Sequence, residues 1–236
     1  MERNVSSLKK TARLAGLLYL LLAITGVYSI IYVPSQIIVR GDAVTTAKNI
    51  LSNEFLFRTG IISDIISNTI FVLLVLVLYQ LFKQVNEHQA KLMVALVIVQ
   101  IPALFIMEAF NIASLMIFKG EILKTFELSQ RQDLAMLFLK INDYGTLSLE
   151  MFWGLWLIPF GQLVYKSEFI PRMFGVLLII AGFAYMIDSF ISLLFPSYRA
   201  FVNQPTLLFV AIGEISIMLW LLIKGVKNNI PAINKY

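Results

Sequence analysis

Residues 56–82 read LFRTGIISDIISNTIFVLLVLVLYQLF, and this stretch decides the fold class. Its second half, Phe71 to Leu78, is apolar without interruption, and the run exceeds the roughly 20 helical residues that cross a hydrocarbon layer about 30 Å thick. Backbone in lipid must satisfy its own hydrogen bonds, which a single segment does only as an α-helix. Comparable runs lie near residues 14–33, 91–118, 144–165, 173–195 and 206–224. The expectation is an all-α membrane protein, a bundle of six transmembrane helices forming one polytopic domain over residues 1–236. Composition agrees: 59% of residues are hydrophobic and 14% charged, against roughly 45–50% and about 25% in soluble domains.

Much chemistry is excluded at once. The chain has no Cys and one His, so disulfides, thiolate nucleophiles, Cys metal sites and multi-His zinc or haem centres are out of reach. No G-x-S-x-G elbow, H-E-x-x-H pair or phosphate loop occurs, and neither a cofactor nor a metal is expected. His88 falls in a short connection, far in sequence from the acids discussed below, and reads as solvated.

The net charge of +5 is explained by position. Six crossings put both termini on one side, and the excess of Lys and Arg near the membrane marks that side as cytoplasmic. Arg3, Lys9, Lys10, Arg13, Lys83, Lys91, Lys166, Arg172, Lys224, Lys227 and Lys235 then lie inside, while the outer segments are nearly balanced. This charge pattern reads as topogenesis and lipid contact, with no nucleic-acid footprint. The first run follows Lys9, Lys10 and Arg13 but is too long for a signal peptide and lacks a small-residue cleavage site, so it reads as a retained anchor. A bacterial cytoplasmic (inner) membrane is the expected location. The polar tail Asn228 to Tyr236 is expected to be variable or disordered.

The long connections fall outside. After Pro34, Asp42 is placed to cap a short amphipathic helix with Val44, Ala47, Ile50 and Leu51 on one face. Ser129-Gln130-Arg131-Gln132 reads as a capping box, so the fourth helix should begin well before its apolar part and either project outward or break near Gly145. Pro102 and Pro159 should kink the third and fourth helices. Gly154 and Gly161, with Gly175, Ala181 and Gly182, mark close approach between helices.

Six carboxylates lie in or at the edge of the spans: Asp64, Glu108, Asp143, Glu150, Asp188 and Glu214. Facing lipid, six such charges would cost on the order of 15–20 kcal/mol on insertion scales, so they must face inward. Asp64, Ser67 and Asn68 share a helix face, as do Gln100, Glu108 and Asn111, and Asp188 lies with Tyr185, Ser189 and Ser192. On the orientation above they sit mainly in the outer halves of helices 2 to 6, which implies an outward-facing acidic cavity. Arg58 and Lys140 are the basic residues near enough in sequence to serve as ion-pair partners; the other acids need protons, hydrogen bonds, water or a cationic ligand. Glu150 followed by Trp153 places an acid beside an indole face, which suits an organic cation; the indoles of Trp153 and Trp156 equally suit packing between helices or against lipid.

Particular wording extends this reading. Arg13-Leu14-Ala15-Gly16-Leu17-Leu18-Tyr19-Leu20, the segment Tyr32 to Gly41 leading into Phe57-Arg58-Thr59-Gly60, and Phe152-Trp153-Gly154-Leu155-Trp156-Leu157-Ile158-Pro159-Phe160-Gly161 with Leu163-Val164-Tyr165-Lys166-Ser167 resemble the bacterial membrane-protein family catalogued as domain of unknown function 4386. Phe169-Ile170-Pro171-Arg172 and Gly182-Phe183-Ala184-Tyr185-Met186-Ile187-Asp188-Ser189 extend the resemblance over nearly the whole chain. It implies a bacterial multi-pass membrane protein of about this length and carries no assigned activity or catalytic residue.

Three functions remain open. The acids bind or move a small cationic or polar solute, or protons; or they only hold the bundle together in a structural or assembly partner of the envelope; or they serve an intramembrane lipid-modifying enzyme. The candidate site is Asp64, Asn68, Glu108, Asn111, Asp143, Glu150, Trp153, Asp188 and Glu214; the partners are the lipid bilayer and, on the first of these readings, a small cationic or polar ligand, and no protein partner is identified.

Overall fold

The computed structural model describes residues 5–227. Six helices are long and apolar enough to cross a membrane: Val5–Ile37, Glu54–Phe82, Glu87–Phe118, Leu128–Lys166, Arg172–Leu194 and Pro196–Ile223. Among the described residues there is no strand, and the architecture is that of an all-α multi-pass membrane protein. Arg3, Lys235 and the tail from Asn228 lie outside the described residues.

The spans start earlier than their apolar runs wherever polar residues extend the helix. The first begins at Val5 and incorporates Lys9, Lys10 and Arg13. The fourth is one continuous helix of 39 residues, about 58 Å long at 1.5 Å per residue, so it is unbroken at Gly145 and longer than a hydrocarbon layer requires. Its start departs from the expected capping box by two residues. The Gln130 side chain accepts from the Glu127 N–H at 3.0 Å, so Gln130 occupies the third position after Glu127, and Ser129 already lies within the first turn.

The short helix Ala43–Ser52 forms as expected, with Asp42 accepting from the Thr45 N–H at 2.8 Å. A bond from the Thr45 hydroxyl, together with this one, holds the Asp42 carboxyl below its ordinary value. The third span opens at Asn86, which accepts from the Gln89 N–H, and is interrupted at Val99 and Gln100, where Pro102 removes a ladder donor. It closes at Gly120, whose φ of +68° lets the Glu121 N–H reach the Met116 carbonyl. Pro159 lies inside the fourth helix without interrupting it.

Two spans contain π-helical turns, at Val27–Tyr32 and Ala211–Ile215. The first precedes Pro34, whose ring would strike the carbonyl four residues back in a regular helix; the Val33 N–H bonds instead to Tyr28, five residues back. At the second, Gly213 packs so closely on Ala181 and Leu177 that an added Cβ would lie 2.9 Å from each.

The described chain divides into two compact units, residues 5–21, 70–100 and 147–227, and residues 22–69 and 101–146. In the first, the fourth and fifth spans cross at paired glycines, Gly154 with Gly182 and Gly161 with Gly175, and Phe82 packs on Phe160 and Phe169. In the second, Ala47 and Ile50 of the short helix join Val33, Ile37, Phe57, Ile61, Phe118 and Met136 in one apolar core.

Candidate functional site

In the unit of residues 22–69 and 101–146, Asp64 and Asn68 stand one turn apart on the second span, and the Asn68 amide donates to Asp64 Oδ2 at 2.8 Å. Ser29, on the first π turn, approaches Asp64 Oδ1 at 3.3 Å but lies nearer the Thr25 carbonyl, at 3.0 Å; its one hydroxyl proton makes the Asp64 bond the weaker of the two. Glu108 is 7% exposed. It accepts from Asn111 at 3.0 Å and from Asn142 at 3.4 Å, while Asn142 also donates to the Met107 carbonyl at 2.9 Å. Asp64 and Glu108 lie within coulombic range of each other. This unit thus brings together Asp64, Asn68, Glu108 and Asn111 of the expected site residues.

In the other unit, Glu214 sits on the second π turn and accepts from the hydroxyls of Tyr19 and Tyr185. Glu150 and Asp188 lie within coulombic range of Tyr185, and Trp153 meets the Tyr185 ring at 5.9 Å in a T-shaped contact. Asp188, only 1% exposed, accepts from Ser192 at 2.8 Å and from Asn203 at 3.3 Å. Trp156 is buried, stacked on Phe160 and edge-on to Phe71, so its role is packing.

Some expected residues are elsewhere. Asp143 is exposed, as is Lys140. Arg58 does not serve the intramembrane acids: it pairs with Glu54, one turn earlier, at 2.8 Å, and Lys119 joins the same carboxylate at 3.2 Å. Bonds from Glu121 and Glu54 hold the Lys119 ammonium above its ordinary value. Tyr19, Ser29, Asn142 and Asn203 were absent from the sequence-derived site, and two of them come from the first span, which carries no acid. Two surface grooves, of about 310 and 560 Å³, are lined respectively by Phe55, Arg58, Thr59, Ile62, Ser63 and Ile66 and by Glu168, Ile170, Pro171, Arg172, Met173 and Lys227. The intramembrane acids line neither. Among the described residues no group of three or more His, Cys, Asp or Glu is placed to hold a metal ion.

The chain is similar to a protein of Archaeoglobus fulgidus described as "Uncharacterized protein", with 32% identity over 122 residues. That match spans 52% of this chain and 65% of the relative. The relative is archaeal, so the bacterial setting implied by the resemblance is not common to all similar chains. No solved structure matches. A family model matches residues 14–225, nearly the whole described chain, and the protein belongs to the family described as Domain of unknown function (DUF4386).

Proposed function

We propose that the carboxylates buried within each unit are acceptors for protons or a small cationic solute reaching them from the extracytoplasmic side, and that the protein serves transport or sensing of that species. One observation carries this reading. Asp64, Glu108, Asp188 and Glu214 are bonded to neutral Ser, Asn and Tyr side chains, whereas Arg58 and Lys119 pair with Glu54, Lys91 with Glu87 and Arg172 with Glu168, all at the ends of spans. A neutral donor orients a carboxylate without cancelling its charge, and a charge withdrawn from water must be neutralised by a proton or a counter-ion. The Trp153 and Tyr185 rings, which meet near Glu150 and Glu214, add aromatic surface of the kind that favours an organic cation over a hydrated metal ion. The basic ends of the spans orient both termini toward the cytoplasm, in a cytoplasmic membrane.

The test is thermal unfolding of the purified protein, across pH and with a panel of small amines, for the wild type and for Asp64→Asn, Glu108→Gln, Glu150→Gln, Asp188→Asn and Glu214→Gln. A binding site predicts that several replacements are neutral or stabilising, since functional sites hold unfavourable groups together, and that an amine raises the wild-type Tm but not that of the matching variant. Uniform destabilisation with no amine response would overturn the reading.

That outcome would favour an assembly role, for which the same bonds supply an observation. Several of them join two spans: Tyr19 of the first to Glu214 of the sixth, Asn203 of the sixth to Asp188 of the fifth, Asn142 of the fourth to Glu108 of the third. Interhelical bonds of this kind fix helices in lipid.

A further inference from the structure

Val44, Leu51, Phe55, Ile62 and Ile66 follow one another at intervals of seven, four, seven and four residues. Such spacing keeps side chains on one line within a helix, so Val44 aligns with Leu51 on one helix, and Phe55 with Ile62 and Ile66 on the next. All five are exposed, Val44, Leu51 and Phe55 to 64, 44 and 82%. From Phe55 onward the line belongs to a helix apolar enough to span a membrane, where an exposed Ile faces lipid acyl chains. Val44 and Leu51 belong instead to the separate helix Ala43–Ser52, which ends at Asn53 with φ −125° and ψ 38°.

That short helix has three facets. Thr46, Ala47 and Ile50 are buried; Thr45, Lys48, Asn49 and Ser52 form a polar side; and between the two lies the apolar shoulder of Val44 and Leu51. A helix lying wholly in water would gain nothing from a second apolar facet, whereas one lying in a membrane interface needs it.

We propose that Ala43–Ser52 lies on the membrane surface at which the first two spans are joined, its Val44–Leu51 shoulder seated with Phe55 in the boundary between lipid headgroups and acyl chains. The occupant is the bilayer itself, because the exposed shoulder ends four residues before Phe55, where the lipid-facing line of the second span begins. The charges agree: Arg40, just before the helix, and Lys48, one turn after Val44, are both exposed, and such side chains lay their apolar stems along lipid and raise the charge to the phosphates. Asp42, the acid of this stretch, is occupied in capping.

The absence of Cys from the chain gives a direct test. Val44→Cys, Leu51→Cys, Ile62→Cys and Ser52→Cys are each labelled with a nitroxide and reconstituted in phosphatidylcholine–phosphatidylglycerol vesicles, and collision with oxygen and with a neutral nickel chelate is measured. Labels at positions 44 and 51 are expected to collide preferentially with oxygen, as at the span position 62, and at a shallower depth; position 52 should favour nickel. Nickel access at 44 and 51 equal to that at 52 overturns the proposal in favour of water. Low access to both reagents overturns it in favour of a covering protein, either a second copy or another chain. The two shoulder positions are independent, so a folding defect in one variant leaves the test intact.

Discussion

Replacing single glycines by alanine separates backbone contact from mere proximity. A Cβ on Gly154 would lie 2.4 Å from the Gly182 carbonyl oxygen, and one on Gly175 would lie 2.5 Å from the Gly161 oxygen. Ordinary contact begins near 3.4 Å, so the fourth and fifth spans must part by roughly 1 Å at either crossing. The crossings are seven residues apart on each helix, about 10 Å, and the pair cannot relieve one clash by pivoting about the other. A clash against backbone belongs at the upper end of the overpacking range, about 3 kcal/mol. Alanine recovers about 1 kcal/mol through its helix propensity, which leaves a net loss of roughly 2 kcal/mol for Gly154→Ala or Gly175→Ala.

Two other glycines calibrate the scale. At Gly26 the nearest atom to an added Cβ is Ser67 Oγ at 3.5 Å, so Gly26→Ala should be neutral or gain up to about 1 kcal/mol. At Gly145 the obstacle is the Met107 sulfur at 2.1 Å, the flexible end of a side chain that can swing away, and the loss should be intermediate. Thermal unfolding in one detergent gives the order: Gly26→Ala at or above wild type, then Gly145→Ala, then Gly154→Ala and Gly175→Ala. Combining Gly154→Ala with Gly182→Ala should cost less than the sum, because the first substitution opens the gap that the second needs. If Gly154→Ala and Gly175→Ala melt together with Gly26→Ala, the reasoning from carbonyl contact is refuted.

Tyr19→Phe withdraws one of the two hydroxyls on Glu214 and should lower stability by about 1–3 kcal/mol, read as a Tm shift that Glu214→Gln/Tyr19→Phe does not double. Asn142→Leu strips a donor from both the Met107 carbonyl and Glu108, with an expected loss of about 1–3 kcal/mol; an unchanged Tm would mean that the amide adds nothing there. Asp42 titrates below its ordinary 3.8, so its contribution is complete above that pH and is lost as pH falls through the lower, folded value. Asp42→Asn keeps a capping oxygen that does not titrate, and its Tm relative to wild type should therefore rise as pH falls below about 4 and stay level between pH 5 and 7.

What the sequence made legible was local. Six apolar lengths, the Asp42 cap and the small residues of the fourth and fifth spans each depend on a few neighbours, and each was found. Hydropathy could not show that the first helix begins at Val5 or the fourth at Leu128, because a helix leaving the hydrocarbon carries polar residues that no longer register as membrane. Arg58 had its answer in the sequence: Glu54 precedes it by one turn, and a partner at that spacing competes well with a distant one. The partners of the acids were different. A search for charge passes over Tyr19 in a run of Leu, and over Ser29 and Asn203, since hydroxyls and amides are common in spans and only packing decides which of them meets a carboxylate.

The two π turns bear on that selection. A π turn holds one more residue than an α turn, and the extra residue rotates everything after it by about 100° relative to a regular helix. Ser29 lies on the first such turn and Glu214 on the second, so each acid cluster has a member whose direction depends on a widened turn. The first is explained locally, by the clash that Pro34 would otherwise make. The second has no proline at the corresponding place; its Gly213 instead lies against the Leu177 carbonyl and Ala181 of the fifth span. There the helix widens where it is pressed against a neighbour, and the residue that follows the contact is the glutamate that receives Tyr19 and Tyr185. Close packing and placement of a carboxyl group are therefore one structural event at this point, and a side chain added at Gly213 should disturb both together.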